Sequence, residues 1–250
     1  MEQPYTFFYL DKAVYSSYNS REVQEKLRKW GFSSSMVLCK FRFDLPFNEF
    51  EPRKFLLDLV NSQEVLSVFY PFQAAKKSSP TTSLMFSEIR CTVTSMDYFD
   101  FLKEKELVYP NGNIKKVLPD YYNDIEICDK IREVLLCEES EDYGMIDEIY
   151  TNEFLFRIFK HIAIGGGCCQ YEDEIDEYLN TVKGIYKDMV AVSKDSETNE
   201  VKVVSKVYEI LPSEEFNVFL NTHIQDFIYV IVDPSYRHVN LWYHKWTGMW

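Results

Sequence analysis

Apolar residues recur along this chain with two periods, one helical and one of strands. Val23, Leu27 and Trp30 share a helical face whose start is marked by Asn19 with Glu22 three residues on, a capping-box arrangement, and Gly31 ends the helix. Ahead of it, Thr6 to Leu10 is aromatic and extended. From Met36 to Phe43 the period drops to two. Val37, Cys39, Phe41 and Phe43 alternate with Leu38, Lys40 and Arg42, which predicts a half-buried strand. Pro52 then opens a short helix that turns Phe55, Leu56, Leu59 and Val60 inward.

The segment from Gln73 to Ser83 is polar, small and proline-interrupted, and reads as a surface loop. Met85 to Val93 has strand composition, Met96 to Lys105 reads as a helix, and Pro110, Asn111 and Gly112 form a turn. Ile127, Ile131, Val134 and Leu135 fall together if Tyr122 to Leu136 is helical. Glu138 to Asp142 is a solvated acidic loop.

The stretch from Glu153 to Leu179 is the most distinctive. Phe154, Leu155, Ile158, Phe159 and Ile162 recur at helical spacing, leaving Arg157, Lys160 and His161 on the outer flank. Gly165, Gly166 and Gly167 follow. Ile175, Tyr178, Leu179, Val182, Ile185, Tyr186 and Met189 then mark a second helix whose first turn holds Glu172, Asp173 and Glu174. Glycines supply the positive φ a helix end requires and let two helices turn back closely, so the plain reading is a structural corner.

Beyond it the pattern turns to strands. Met189 to Lys194 and Val201 to Ile210 flank the polar DSETN, which suits a hairpin, and Phe227 to Val232 is continuously apolar. Val239, Leu241 and Tyr243 alternate with Asn240, Trp242 and His244. The expected architecture is α+β: helices, including a Gly-turned helical hairpin, packed on antiparallel sheet, with a C-terminal β-meander. It forms one domain over 1–250, or two lobes, 1–137 and 151–250, joined by the acidic loop.

Charge narrows the partners. Forty Asp and Glu against 27 Lys and Arg give −13, which repels phosphate backbones and anionic lipid, so nucleic acid and membrane are excluded as partners and a basic protein surface is favoured. The N-terminus has the wrong charge for an export signal, and no uncharged apolar run reaches the length of a membrane span. Six cysteines, scattered apart from Cys168 and Cys169, read as reduced thiols of the cytosol rather than a disulfide framework.

The glycine corner admits three chemical readings. A phosphate loop needs Lys and Ser or Thr entering the helix, whereas this chain offers Cys168, Cys169 and Gln170 followed by three carboxylates, so a nucleotide site is rejected. Zinc needs thiols two residues apart and a second pair to complete a tetrahedral set. The thiols are adjacent, and His238 and His244 lie about 20 Å apart along a strand. Only long-range assembly of His161 with Cys168 stays open. Carboxylates beside the thiols oppose thiolate formation, and no nucleophile, metalloprotease or kinase signature occurs. No catalytic residue, cofactor or metal ligand is therefore assigned. Glu172, Asp173, Glu174, Asp176 and Glu177 form either a solvated helix start or a docking face for a basic partner. Core packing explains Trp242 or its neighbour Tyr243, but Trp242, Trp246 and Trp250 cannot all be assumed buried, and as exposed aromatics beside charged residues they are candidates for a protein contact surface.

The run EFLFRIFKHIAIGGGCCQYEDEIDEYL, continued by TVKGIYKDMVAV and joined near the end by IVDPSYRHVNLWYH, resembles the cilia- and flagella-associated protein 300 family. SREVQEKLRKWGF and FRFDLPF fit the beginning of that family in the same order, so the resemblance spans nearly the whole chain and is least specific between Gln63 and Leu118. His161, Gly165, Gly166, Cys169, Gln170, Tyr171, Glu172 and Asp173 match the family's FKH, glycine pair and CQYED. Gly167 and Cys168 depart from it, which leaves the thiol pair outside what carries over. The resemblance implies a protein of cytoplasm and cilium or flagellum, acting in assembly or transport of outer and inner axonemal dynein arms. It would act as a non-catalytic adaptor with dynein arm assembly factors, axonemal dynein subunits or the intraflagellar transport machinery. A structural axonemal subunit is the alternative, and a thiol- or metal-dependent enzyme the third reading.

Overall fold

A computed structural model describes residues 3–32, 35–75, 80–219 and 222–247. The first half runs β1 (Phe7–Tyr9), α1 (Arg21–Lys29), β2 (Met36–Phe43), α2 (Pro52–Asn61), α3 (Gln63–Val68), α4 (Tyr70–Ala75) and β3 (Met85–Ile89). A 3₁₀ turn (Met96–Phe99), α5 (Phe101–Glu104), β4 (Lys116–Tyr122), β5 (Ile125–Asp129), α6 (Lys130–Leu136) and α7 (Glu148–Thr151) follow. The chain continues with α8 (Phe154–Ile164), α9 (Ile175–Met189), β6 (Val192–Lys194), β7 (Val201–Val203), β8 (Lys206–Leu211), β9 (Phe227–Asp233) and β10 (His238–His244). These elements form two compact units, each discontinuous in sequence: residues 1–14, 34–90 and 189–245, and residues 15–33, 91–188 and 246–250. The fold is mixed α+β.

In the first unit a six-stranded antiparallel sheet has the order β1-β2-β10-β9-β8-β3. Its last three strands in sequence form the expected meander, with Leu241 facing Val230 and Tyr208 facing Val230 in turn. β9 is buried at all seven positions, as its continuous apolar run requires of a central strand. Helices α2, α3 and α4 cover one face, where Phe55 makes edge contacts with Phe7 and Phe43 and Phe69 meets Tyr243. β10 departs from the predicted alternation. Asn240, Trp242 and His244 are buried like Val239, Leu241 and Tyr243, so both faces of this strand lie in the interior.

The second unit is built on α8 and α9. Nine of the eleven residues of α8 are buried, so His161, expected on an outer flank, is interior at 5% exposure. Around these helices pack Phe99 against Phe159, Phe101 against Tyr150 and Trp30 against Tyr178.

Four local readings are corrected. The cap of α1 is Ser20, whose hydroxyl accepts from Val23 N, one residue after the predicted Asn19. The segment 122–136 is not one helix. β4 and β5 form a hairpin whose turn residues Asn123 and Asp124 both have positive φ, and the helix begins only at Lys130. The stretch 96–105 divides into the 3₁₀ turn and α5. Within the predicted 73–83 loop, 73–75 end α4, 76–79 lie outside the described residues, and 80–83 have no regular structure. Among the described residues no helix is long and apolar enough to cross a membrane.

Candidate functional site

The glycine corner is assembled around a residue that periodicity does not single out. Asp129 ends β5 and caps α6, its Oδ1 accepting from Arg132 N at 3.0 Å while its Oδ2 pairs with Arg132 Nη1. Both side chains are fully buried. The other arm of the guanidinium, Nη2, donates to the carbonyl of Ala163 and to the hydroxyl of Tyr178 at 2.8 Å. Ala163 lies in the last turn of α8, so the cation satisfies one of that helix's orphan carbonyls and complements its dipole. The guanidinium lies over the ring of Tyr171 with its carbon 3.5 Å from the centroid. Burial pulls the Arg132 pKa down, but the Asp129 carboxylate outweighs it and the net direction is up, so this cation is permanent.

From this anchor the corner runs outward against the end of α1. Gly165 ends α8 at φ 80°, its N–H returning to His161 O at 3.0 Å, and a Cβ there would strike the Cys169 side chain. Gly166 N then donates to Trp30 O at 2.8 Å and Gln170 N to Lys29 O at 2.9 Å, satisfying the C-terminal carbonyls of α1. Gly166 meets Gly31 so closely that a Cβ on either would collide with backbone of the opposite segment. The WG of the first helix and the GGG of the corner are thus two halves of one contact.

The acidic exit is tied down in the same way. Glu172 Oε1 accepts from Trp30 Nε1 at 2.9 Å, Oε2 pairs with Lys29 at 2.7 Å, and the backbone N–H donates to Tyr178 Oη at 2.8 Å. Asp173 pairs with Lys116 at 2.6 Å, and its carbonyl accepts from Ile114 N at 2.8 Å. Glu174 is exposed and bridges Asn113. The three carboxylates were expected inside the first helical turn, but α9 begins at Ile175, and Asp176 and Glu177 occupy that place. They precede the helix because the Asp173 carbonyl is taken by Ile114 N, Glu174 bridges Asn113, and Gly112 O accepts from Ile175 N at 3.0 Å. Glu177 reaches Lys26 at 2.9 Å.

The two thiols differ. Cys168 is exposed at φ 61°, whereas burial pushes the Cys169 thiol up to about 12 despite the lowering influence of Arg132. At neutral pH Cys169 is a neutral, weakly polar packing group. Among the described residues no group of three or more His, Cys, Asp or Glu side chains is placed to hold a metal ion.

A profile of the cilia- and flagella-associated protein 300 family matches residues 4–244, nearly the whole chain. The chain belongs to this family. A cilia- and flagella-associated protein 300 from Paramecium tetraurelia is 34% identical over 248 residues, covering 99% of this chain and 96% of the relative. One from Chlamydomonas reinhardtii is 31% identical over 245 residues, covering 94% of this chain and 95% of the relative. No solved structure matches.

For this member of the cilia- and flagella-associated protein 300 family, the corner gathers His161, Gly165, Gly166, Gly167, Gln170 and Tyr171 in one place, with Glu172 and Asp173 at its exit. The expected aromatic surface is divided. Trp242 has no exposed surface, stacks with Tyr229 and packs at a tilt against Phe227, which corrects its reading as a contact residue. Trp246 is half-buried, and Trp250 lies outside the described residues. Sequence reasoning missed Asp129 and Arg132. The one available signal was the Asp-x-x-Arg spacing across a helix start.

Proposed function

We propose that this ciliary family member is a non-catalytic adaptor in the assembly or transport of outer and inner axonemal dynein arms, active in the cytoplasm and at the cilium or flagellum. The observation that carries this is the family match over residues 4–244, within which the marked motif is taken up by structural bonds. Arg132 is committed to Asp129, Ala163 and Tyr178, and burial holds Cys169 protonated. A group so engaged holds backbone segments together rather than turning over substrate.

Charge favours the kind of partner. The second unit carries 14 Lys and Arg against 24 Asp and Glu, a net −10 of the chain's −13, and such a field accelerates encounter with a basic surface of a dynein subunit or assembly factor. Asp173, exposed although it pairs with Lys116, and Glu174 are its accessible contacts at the corner, since Glu172 is largely covered and engaged by Lys29 and Trp30. Trp246 flanks this role as the half-buried aromatic. The test is capture of axonemal dynein subunits and assembly factors from ciliated-cell cytoplasm, comparing wild type with Asp173→Lys/Glu174→Lys. An adaptor using this face loses capture in the folded variant, and unchanged capture removes the face from the proposal. Salt extraction of isolated axonemes separates the alternative, because a structural subunit stays with the doublets and an adaptor is recovered mainly from the cell body.

A further inference from the structure

The strand edges of this protein are treated unequally. At β1 the outward backbone is met by side chains from the covering helices: Tyr5 N, just ahead of the strand, donates to Asp58 at 3.0 Å, and Tyr9 N to Glu64 at 3.4 Å. At β4 a register shift and Pro119 break the edge. Each is a known way of blunting an edge against further pairing. β3 has neither. It pairs with β8 in unbroken register from Met85 to Ile89, contains no proline or lysine, and among the described residues nothing pairs with its outer side.

What adjoins that edge is shaped for side chains. Phe86 points to the face covered by α2 and lines a groove of ≈ 610 Å³ with Phe50, Pro52, Arg53 and Leu57. Arg53 pins the wall, its guanidinium lying 5.4 Å from the Phe86 centroid and donating to Leu84 O at 3.0 Å. Phe50 stands at the mouth with 87% of its surface exposed. Two residues along β3 on the same face is Glu88, exposed and, among the described residues, without an ion-pair partner.

We infer that β3 is an acceptor edge for a strand from a partner protein, one carrying an apolar residue and, two positions away, a Lys or Arg. Main-chain pairing with β3 holds the incoming strand. The alternation of side chains drops its apolar residue into the groove beside Phe86 and Phe50 and sets its cation across from Glu88. The overall charge of −13 favours the same sign of partner.

The probe is a synthetic peptide of alternating Thr and Val with a central Leu-Thr-Lys, compared with Leu-Thr-Glu and Ser-Thr-Lys versions and titrated into the full chain. Leu-Thr-Lys binding should slow amide exchange at 85–89 and exceed both controls. Glu88→Lys should weaken it about fivefold and reverse the preference toward Leu-Thr-Glu, a change that loss of folding cannot produce. Phe50→Ser, at an exposed position, should remove the advantage of Leu over Ser. Failure of the peptide to protect 85–89, or equal binding by wild type and Glu88→Lys, overturns the inference. So does a dimer in sedimentation that protects the same amides without peptide, for then the occupant is a second copy. No ciliary partner is needed, so the result is independent of the adaptor role.

Discussion

Arg132 and Asp129 are both sealed from solvent, and the carboxylate holds its partner twice, through the guanidinium and through the backbone N–H that starts α6. Because the same guanidinium reaches Ala163 O and Tyr178, removing it leaves a buried anion and takes a donor from each of those oxygens, of which Tyr178 keeps the Glu172 N–H. Arg132→Met should lower unfolding free energy by ~3–5 kcal/mol in urea titration. Adding Asp129→Asn should recover part of that loss, since no charge is then stranded and the cap survives. A loss below ~1 kcal/mol in the single variant would mean that the corner does not depend on this pair.

The contact between Gly31 and Gly166 predicts that neither tolerates a methyl group. Gly31→Ala combines a positive φ of 81° with collision against backbone, and should destabilise by more than ~2 kcal/mol. Ala at Gly112, which has positive φ and open space around its Cβ position, is the control and should lose only ~1 kcal/mol. Denaturant midpoints of the two variants decide whether close approach, rather than backbone conformation alone, selects glycine at the corner.

Much of this was legible in the sequence. Continuous apolar character at 227–232 and the period of two in 36–43 locate strands within a residue or two of their ends. Two kinds of signal were lost. Ile127 falls at helical spacing from Ile131 and Val134, yet its own alternation with Ile125 belongs to a hairpin whose Asn-Asp turn was the better cue. Arg132 drew no reading because nothing local reveals that Ala163 and Tyr178 meet it from far along the chain. Burial of both faces of β10 is a tertiary outcome of the same sort, and it is why Trp242 read as a surface residue.

His244 supplies a pH dependence. Burial holds its pKa down to about 4, against 6.5 for a free imidazole, with Nδ1 bonded to Gln225 O at 2.7 Å. The unfolded chain therefore binds this proton more readily, and the contribution is fully present above about pH 6.5 and lost as pH falls toward 4. It amounts to about 3 kcal/mol at most. His244→Asn should flatten the slope of stability against pH in that window. An unchanged slope would assign acid sensitivity to other groups.

The thiols should label unequally. Mass spectrometry after brief iodoacetamide treatment of the native protein at neutral pH should find Cys168 modified and Cys169, whose thiol is pushed up to about 12, protected until urea is added. Rapid native labelling of Cys169 would revive a thiol-based activity.

The adaptor role meets its most direct test in electron cryo-tomography of axonemes from ciliated cells depleted of this protein. Outer and inner dynein arms should be missing from otherwise intact doublets and return when the wild-type chain is restored. Doublets bearing both arms at normal occupancy in depleted cells would contradict the account.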